Sequence, residues 1–384
     1  MRIELPISKS IANRLLILQA IHGDELMPVS ATLPEDVQIL HRALTTLKTF
    51  RTSETLSTPH INVGNCGTAM RFLTAYCAQL EGQTIILDGV ERMRHRPIGQ
   101  LVDALREIGA DIEYLGEEGF PPLRIKGCLL DKHRIVTLNN PQSTQFVSAL
   151  LLIGANVQTN STSPYITLTR EIIDQYPIAH RASNSPHGGR PIAAQAASVL
   201  EKDWSSSAFW YEYVALHGGE ITLPGLFRDS LQGDKIVTDI FAHLGVHTTY
   251  TPEGVRISDN GYRESITNSE ASNSPLSERP IAAQAASRSK ILIQDFGTCP
   301  DLYPAVALTC ERLGIELHAT GVESLPLKES DRLRAVREHR TDHDHRMAMA
   351  LLIAGYEVDD TACISKSYPQ FIEHFRRINT LKLQ

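Results

Sequence analysis

Charged residues crowd the segment Pro326-Leu-Lys328-Glu329-Ser-Asp331-Arg332-Leu-Arg-Ala-Val336. On a helix, Lys328 and Arg332 would stack one turn apart on a single face. Like charges so placed repel by roughly 0.2–0.5 kcal/mol. That cost is offset if both cations face one bound anion. Glu329 and Asp331 lie between them and are of a type that moves protons. Pro326 suits the first turn of a helix, where its missing N–H costs nothing. The same alternation of charge also describes a solvated helix face. Partner motifs elsewhere must decide between the two.

Four further segments place polar groups ahead of apolar helical runs. Ser8-Lys9-Ser10-Ile-Ala-Asn13-Arg14 offers helix caps and two cations, and free N–H groups at a helix start bind anions. Gly64-Asn65-Cys66-Gly67-Thr68-Ala69-Met70-Arg71 is a glycine-rich turn that lets backbone approach a ligand. It lacks the spacing of a P-loop or a dinucleotide fingerprint, so neither ATP nor NAD is implied. Glu91-Arg92-Met-Arg94-His95-Arg96-Pro97 carries guanidinium forks suited to phosphate or carboxylate. Pro141-Gln142-Ser143-Thr144-Gln145-Phe146 opens a helix with two hydroxyls and an amide. Each of these is also readable as a plain cap or turn. Near the C-terminus, His343-Asp344-His345 offers two imidazoles, too few for a metal site without further ligands. Arg346 beside them opens an apolar run and is a further anion contact. Asp301, after Gly297-Thr-Cys-Pro300, stands where a carboxylate usually caps a helix.

Short strand patterns alternate with helical ones around these motifs. Thr84–Leu87, Asp111–Tyr114 and Leu123–Ile125 read as strands. Ile98–Gly109 and Thr144–Ile153 read as helices, the first with apolar residues at Ile98, Leu101, Val102, Leu105 and Ile108. Similar units recur near Tyr165–Thr169, Glu220–Leu223, Lys235–Leu244, Thr248–Tyr250, Val255–Ile257, Lys290–Gln294 and Pro304–Leu313. The pattern is α+β, built from repeated small units. Two segments interrupt it. Ala182–Ser198 reappears as Ala271–Ser287, differing only at His187/Leu276, Gly188/Ser277 and Gly189/Glu278. Surroundings this divergent point to recent duplication or an inserted or scrambled segment rather than ancient repetition; the alternative is a genuine twin helix, since Pro-Ile-Ala-Ala-Gln-Ala-Ala favours helix, and no chemistry is assigned there.

A chain of 384 residues suggests about two domains. Hydrophobic content of 42% and charged content of 21% describe a globular protein. The net charge of −7 argues against a general nucleic-acid binder. The six cysteines show no C-x-x-C pair and read as free thiols. No signal peptide is legible, and the apolar stretch Val147–Val157 is too short to cross a bilayer. The expectation is a cytoplasmic protein without a membrane segment.

In order and spacing, the motifs at Ser8–Arg14, Asn65–Arg71, Arg92–Gly99, Ser143–Phe146, Lys328–Leu333 and Asp344–Met349 resemble the enolpyruvyl transferases, and within them the 5-enolpyruvylshikimate-3-phosphate (EPSP) synthase family. The resemblance spans nearly the whole chain. It implies an α+β fold of two lobes, each made of repeated βαβαββ units around buried helices. One lobe would run 9–203, inserted into another made of 1–8 and 204–384, with the active-site cleft between them. It implies transfer of the enolpyruvyl group of phosphoenolpyruvate to the 5-hydroxyl of shikimate 3-phosphate by addition and elimination. No metal or organic cofactor is implied, and the expected state is a monomer.

By resemblance, Asp301 is the base for the 5-hydroxyl, Glu329 carries the proton of the enolpyruvyl methyl group, and Lys9 shares in proton transfer. Shikimate 3-phosphate would meet Lys9, Ser10, Arg14, Ser143, Thr144, Gln145, Asp301, Ser324 and Lys328. Phosphoenolpyruvate would meet Lys9, Gly67, Arg92, Gln145, Arg332, Arg346 and Lys366. The chain departs from the family pattern at Asp174, where a serine is expected, and at Ser324, where an asparagine is. The stretch from Arg337 to Thr341 is also too short for the strand pair the family places there. Two alternatives stand beside this reading. One is an enolpyruvyl transferase for UDP-N-acetylglucosamine, although the cysteine usual in its Arg92–Pro97 region is missing here. The other is a non-catalytic anion-binding relic of the fold.

Overall fold

The computed structural model describes residues 1–52, 58–183, 200–259 and 291–382. The chain divides into two compact units, one of Ser8–Leu200 and one of Met1–Ile7 with Glu201–Gln384.

The Ser8 unit opens with α1 (Lys9–His22), whose N-cap is Ser8 and which ends at Gly23 in the left-handed conformation, φ 76°. Helix α2 (Glu35–Thr52) follows. Then comes β1 (His60–Asn62), α3 (Gly67–Ala78), β2 (Thr84–Asp88), the short α4 (Glu91–Arg94), α5 (Gly99–Glu107), β3 (Asp111–Tyr114) and β4 (Leu123–Lys126). The sheet order is β1-β2-β4-β3, with β1 parallel to β2 and the other pairs antiparallel. This is the βαβαββ order, with α4 as an extra turn. It forms because the apolar residues of α5 repeat at helix spacing and those of β4 at every second position. A second, shorter unit has β5 (Ile135–Thr137), α6 (Thr144–Leu152) and β6 (Asn156–Gln158), then α7 (Pro164–Ser183). Helix α3 is buried apart from the half-buried Thr68, as is most of α6, as expected of helices apolar on nearly every face.

Tyr165–Thr169 lies inside α7 rather than in a strand-bearing unit. Ser163 accepts from the Tyr165 amide, and Thr169 Oγ1 back-bonds the Tyr165 carbonyl, so local hydrogen bonds favour helix over the alternation of its side chains. The first copy of the repeated segment contributes only its first two residues, at the end of α7. The rest of it, and all of the second copy, lie outside the described residues.

The other unit is built about α8 (Trp204–His217), capped by Asp203 and buried from Trp204 to Leu216. Strand β7 (Glu220–Pro224), α9 (Val237–Ala242), β8 (Val246–Thr251) and β9 (Gly254–Asp259) follow, with sheet order β7-β9-β8. Arg2 bridges Thr222 in parallel, bringing the N-terminus to the same sheet. The parallel pair β10 (Ile291–Asp295) and β11 (Glu316–Thr320) flanks α10 (Tyr303–Leu313). Helices α11 (Arg332–Glu338), α12 (His345–Ala354) and α13 (Phe371–Lys382) complete it. Between α11 and α12 the chain turns through left-handed residues His339, Asp342 and His343, with no strand there. Among the described residues, no helix is long and apolar enough to cross a membrane.

Lys328 and Arg332 do not share a helix. Lys328 ends a 3-10 turn, Leu325–Leu327, in extended conformation. Arg332 is the first residue of α11, because the Asp331 side chain accepts the Arg334 amide and caps the helix one residue earlier.

Glu212 lies in the middle of α8, fully buried, with neither carboxylate oxygen hydrogen-bonded among the described residues. Burial raises its pKa well above the ordinary carboxylate value, so folding favours the protonated form. A raised folded pKa gives stability that is fully present below the unfolded value, near 4.3, and lost as pH rises through the folded one. Thermal melts should therefore show the wild-type chain losing stability relative to Glu212→Gln as pH is raised from 5 towards 8. Parallel pH curves for the two proteins would contradict this.

Candidate active site

In the C-terminal unit, Arg332 is fully buried and meets three carboxylates. Its Nε donates to Asp344 Oδ2 at 2.8 Å, Nη1 to Asp301 Oδ1 at 2.8 Å and Nη2 to Glu329 Oε2 at 3.1 Å. Burial alone would lower its pKa, but the charges of Asp344, Asp301 and Glu329 raise it above its usual value. Arg346, equally buried, donates from Nη2 to Asp301 Oδ2 at 2.8 Å, while its Nε and Nη1 have no partner among the described residues. Lys328 Nζ lies 3.6 Å from Asp301 Oδ1, and Lys366 Nζ lies 3.1 Å from Glu329 Oε1. Four cations thus gather about three carboxylates. The two carboxylates proposed to move protons, Asp301 and Glu329, are each held by more than one cation. Ser324 sits half-buried at the start of the 3-10 turn, and its carbonyl accepts the Leu327 amide.

Asp344 organises this cluster. Its Oδ2 also accepts from Ser330 Oγ, and its Oδ1 accepts the Arg346 amide as the N-cap of α12. Asp234 lies within the same field and accepts a short hydrogen bond from Ser205 Oγ. Burial first, then the charge of Asp301, pushes Asp234 up to about 6, against the pull of Arg346. Neither aspartate was singled out from the sequence. Asp344 lay in the quoted Asp-His-Arg-Met run. Asp234 stands in a stretch with no chemical signature, and only the fold brings it near Asp301. The two histidines flanking Asp344 diverge in role. His343 is exposed on Asp360, and His345 is buried at the start of α12.

In the Ser8 unit, the other expected residues cluster at helix starts. Lys9, the first residue of α1, pairs with the buried Asp36 of α2 at 3.1 Å. Ser10 gives its carbonyl to Arg14 Nη1. Arg14 is buried and turned inward, with Nε on Thr169 Oγ1 at 2.7 Å and Nη2 on Ser148 Oγ and the Tyr165 carbonyl. Burial lowers its pKa to about 10, which still leaves it cationic at neutral pH. Ser143 caps α6, Thr144 begins it, and Gln145 Nε2 donates to Thr68 Oγ1 of α3 at 3.0 Å. That bond ties the α6 start to the Gly67 turn. Arg92 is exposed on α4, whereas Arg96 is buried. Asp174 is exposed on α7. Among the described residues, no group of three or more metal-binding side chains comes together.

A family model for EPSP synthase (3-phosphoshikimate 1-carboxyvinyltransferase) matches residues 1–375. The chain belongs to this family. A 3-phosphoshikimate 1-carboxyvinyltransferase of Bacteroides fragilis is 35% identical over 425 aligned residues, covering 98% of this chain and 94% of that one. One of Cellvibrio japonicus is 31% identical, covering 98% and 96%. The fold matches the EPSP synthase of Acinetobacter baumannii with a TM-score of 0.59 at 18% identity, over 98% of this chain and 95% of that one. It also matches the enolpyruvyl transferase NikO of Streptomyces tendae, with a TM-score of 0.57 at 12% identity over 99% and 94%. At such identities the structural matches speak for the α+β enolpyruvyl transferase fold. EPSP synthase membership rests on the sequence comparisons.

Removing Asp344 should leave Arg332 short of a buried counter-charge and α12 without its cap. Asp344→Ala should cost about 3–5 kcal/mol in urea unfolding, the usual penalty for breaking a buried ion pair. Asp344→Asn, which keeps a cap acceptor, should cost less. Equal stability of all three proteins would refute the arrangement.

Proposed function

We propose that this chain transfers the enolpyruvyl group of phosphoenolpyruvate to the 5-hydroxyl of shikimate 3-phosphate and releases phosphate. The observation that carries the reading is the cluster in which the buried Arg332 and Arg346 and the half-buried Lys328 and Lys366 surround Asp301 and Glu329. Both substrates are polyanions, so a locally cationic site in an acidic protein is what they need. The unpartnered Nε and Nη1 of the buried Arg346 supply donors for an incoming anion.

In this scheme Asp301 accepts the proton of the 5-hydroxyl as its oxygen bonds to C2 of phosphoenolpyruvate. Glu329, with Lys9, delivers a proton to C3, giving a tetrahedral adduct with a methyl group. Elimination reverses the C3 transfer. Glu329 takes a methyl proton, the C2–C3 double bond reforms, and phosphate leaves C2, its oxygen taking up the proton that Asp301 had removed from the 5-hydroxyl. Arg332, Arg346, Lys366, Arg92, Gln145 and the Gly67 backbone hold phosphoenolpyruvate, together with Lys9. Ser10, Arg14, Ser143, Thr144, Gln145, Ser324 and Lys328 hold shikimate 3-phosphate, with Lys9 and Asp301. The protein works as a monomer in the cytoplasm.

One observation favours a second reading, an anion-binding relic: Arg14 spends its donors on Ser10, Ser148, Tyr165 and Thr169 rather than leaving them open. A phosphate-release assay with both substrates separates the two. Turnover should be seen in the wild type and fall by roughly 100-fold or more in Lys9→Ala and Glu329→Gln, as for loss of a proton-transfer group. Binding of both substrates without release would favour the relic. Release only with a UDP-linked amino sugar would overturn the proposal.

A further inference from the structure

Two guanidinium groups converge on Gly67. A Cβ built there would stand 2.6 Å from Arg71 Nη1 and 2.8 and 2.9 Å from Arg96 Nη2 and Nη1. Arg71 is held from behind, donating to the Gly67 carbonyl at 3.1 Å and the Pro97 carbonyl at 3.3 Å, with its guanidinium over the Phe146 ring. Arg96 is 8% exposed, and its Nε is buried without a partner among the described residues. Its protein hydrogen bond is a long one, 3.4 Å to the Asn65 carbonyl. A guanidinium stays charged at any working pH. Burying it without a nearby anion is unfavourable, and a second cation at the same glycine adds repulsion.

Gly67 is also the first residue of α3, a helix of 12 residues. The Ala69 amide goes to Cys66 Sγ and the Met70 amide to the Cys66 carbonyl. The Gly67 and Thr68 amides have no protein acceptor among the described residues. Open amides and a buried cation at one point make a seat for an anion, phosphate above all. The missing side chain of Gly67 is what lets both guanidiniums come this close to the helix start.

We propose that Arg96 is a further phosphoenolpyruvate-binding residue, its guanidinium completing with the Gly67 and Thr68 amides a seat for the substrate's phosphate group. Arg71 acts as a positioning residue that clamps the Gly67 carbonyl. The inference rests on the function proposed above, whose cation for this motif was Arg92, exposed on α4.

Calorimetric titration of phosphoenolpyruvate into the full chain, with and without shikimate 3-phosphate, tests it. Arg96→Gln should weaken phosphoenolpyruvate binding roughly 10- to 100-fold, as for loss of charge-assisted hydrogen bonds, and leave shikimate 3-phosphate binding unchanged. Arg96→Lys keeps the charge but not the fork and should show a smaller loss in the same direction. It carries the test if the glutamine variant does not fold. Unchanged phosphoenolpyruvate affinity in a folded variant overturns the proposal, as does a wild-type chain that binds none. A wild type that binds phosphoenolpyruvate through Arg96 but releases no phosphate removes the catalytic reading and leaves this site standing.

Discussion

The C-terminal unit depends on keeping one cation, Arg332, fully out of water. Such a charge is tolerable only if carboxylates surround it, and three do. Meeting that requirement fixes much else. Asp344 must face inward, which makes it the cap of α12 and sets the start of the helix that carries Arg346. Asp301 must lie between Arg332 and Arg346, which places it beside Lys328. Glu329 must bend back one turn, which brings it to Lys366. Charge satisfaction and the assembly of reactive groups are the same arrangement.

The Ser8 unit meets a related constraint by different means. There Lys9 stands at a helix start, where backbone amides add to the positive field. Lys9 is steadied by Asp36, Gln145 by Thr68, and the Gly67 turn by Arg71. Arg96 is the exception, a buried guanidinium whose one hydrogen bond among the described residues is long. Elements in this unit fit what their residues prefer: serine and cysteine caps, a left-handed glycine at Gly23, and apolar α3 and α6 buried deeply.

Much of this was legible beforehand. The strands at Thr84, Asp111 and Leu123 and the helices after Ile98 and Ser143 follow from periodicity and caps, which act over a few residues. Tyr165–Thr169 was not, because its alternating pattern is overruled by hydrogen bonds to its own backbone. The placement of Lys328 and Arg332 on one helix face was also wrong in mechanism. The Asp331 cap divides them, and they converge through Asp301 instead. Asp36 and Asp234 carried no spacing signal that set them apart from ordinary surface charge, and nothing within the Arg92–Pro97 run told Arg96 from its neighbouring arginines.

By itself the sequence determined the family, the α+β class and the residue types available for chemistry, because motif order and local periodicity are written along the chain. The tertiary structure decided which charges are buried and what each one faces. It tied Arg14 to Thr169, gave Arg332 its three carboxylates, and set Arg96 rather than Arg92 beneath Gly67. Burial and pairing are properties of residues far apart in sequence. No local pattern encodes the dielectric around a charge or the partner that neutralises it.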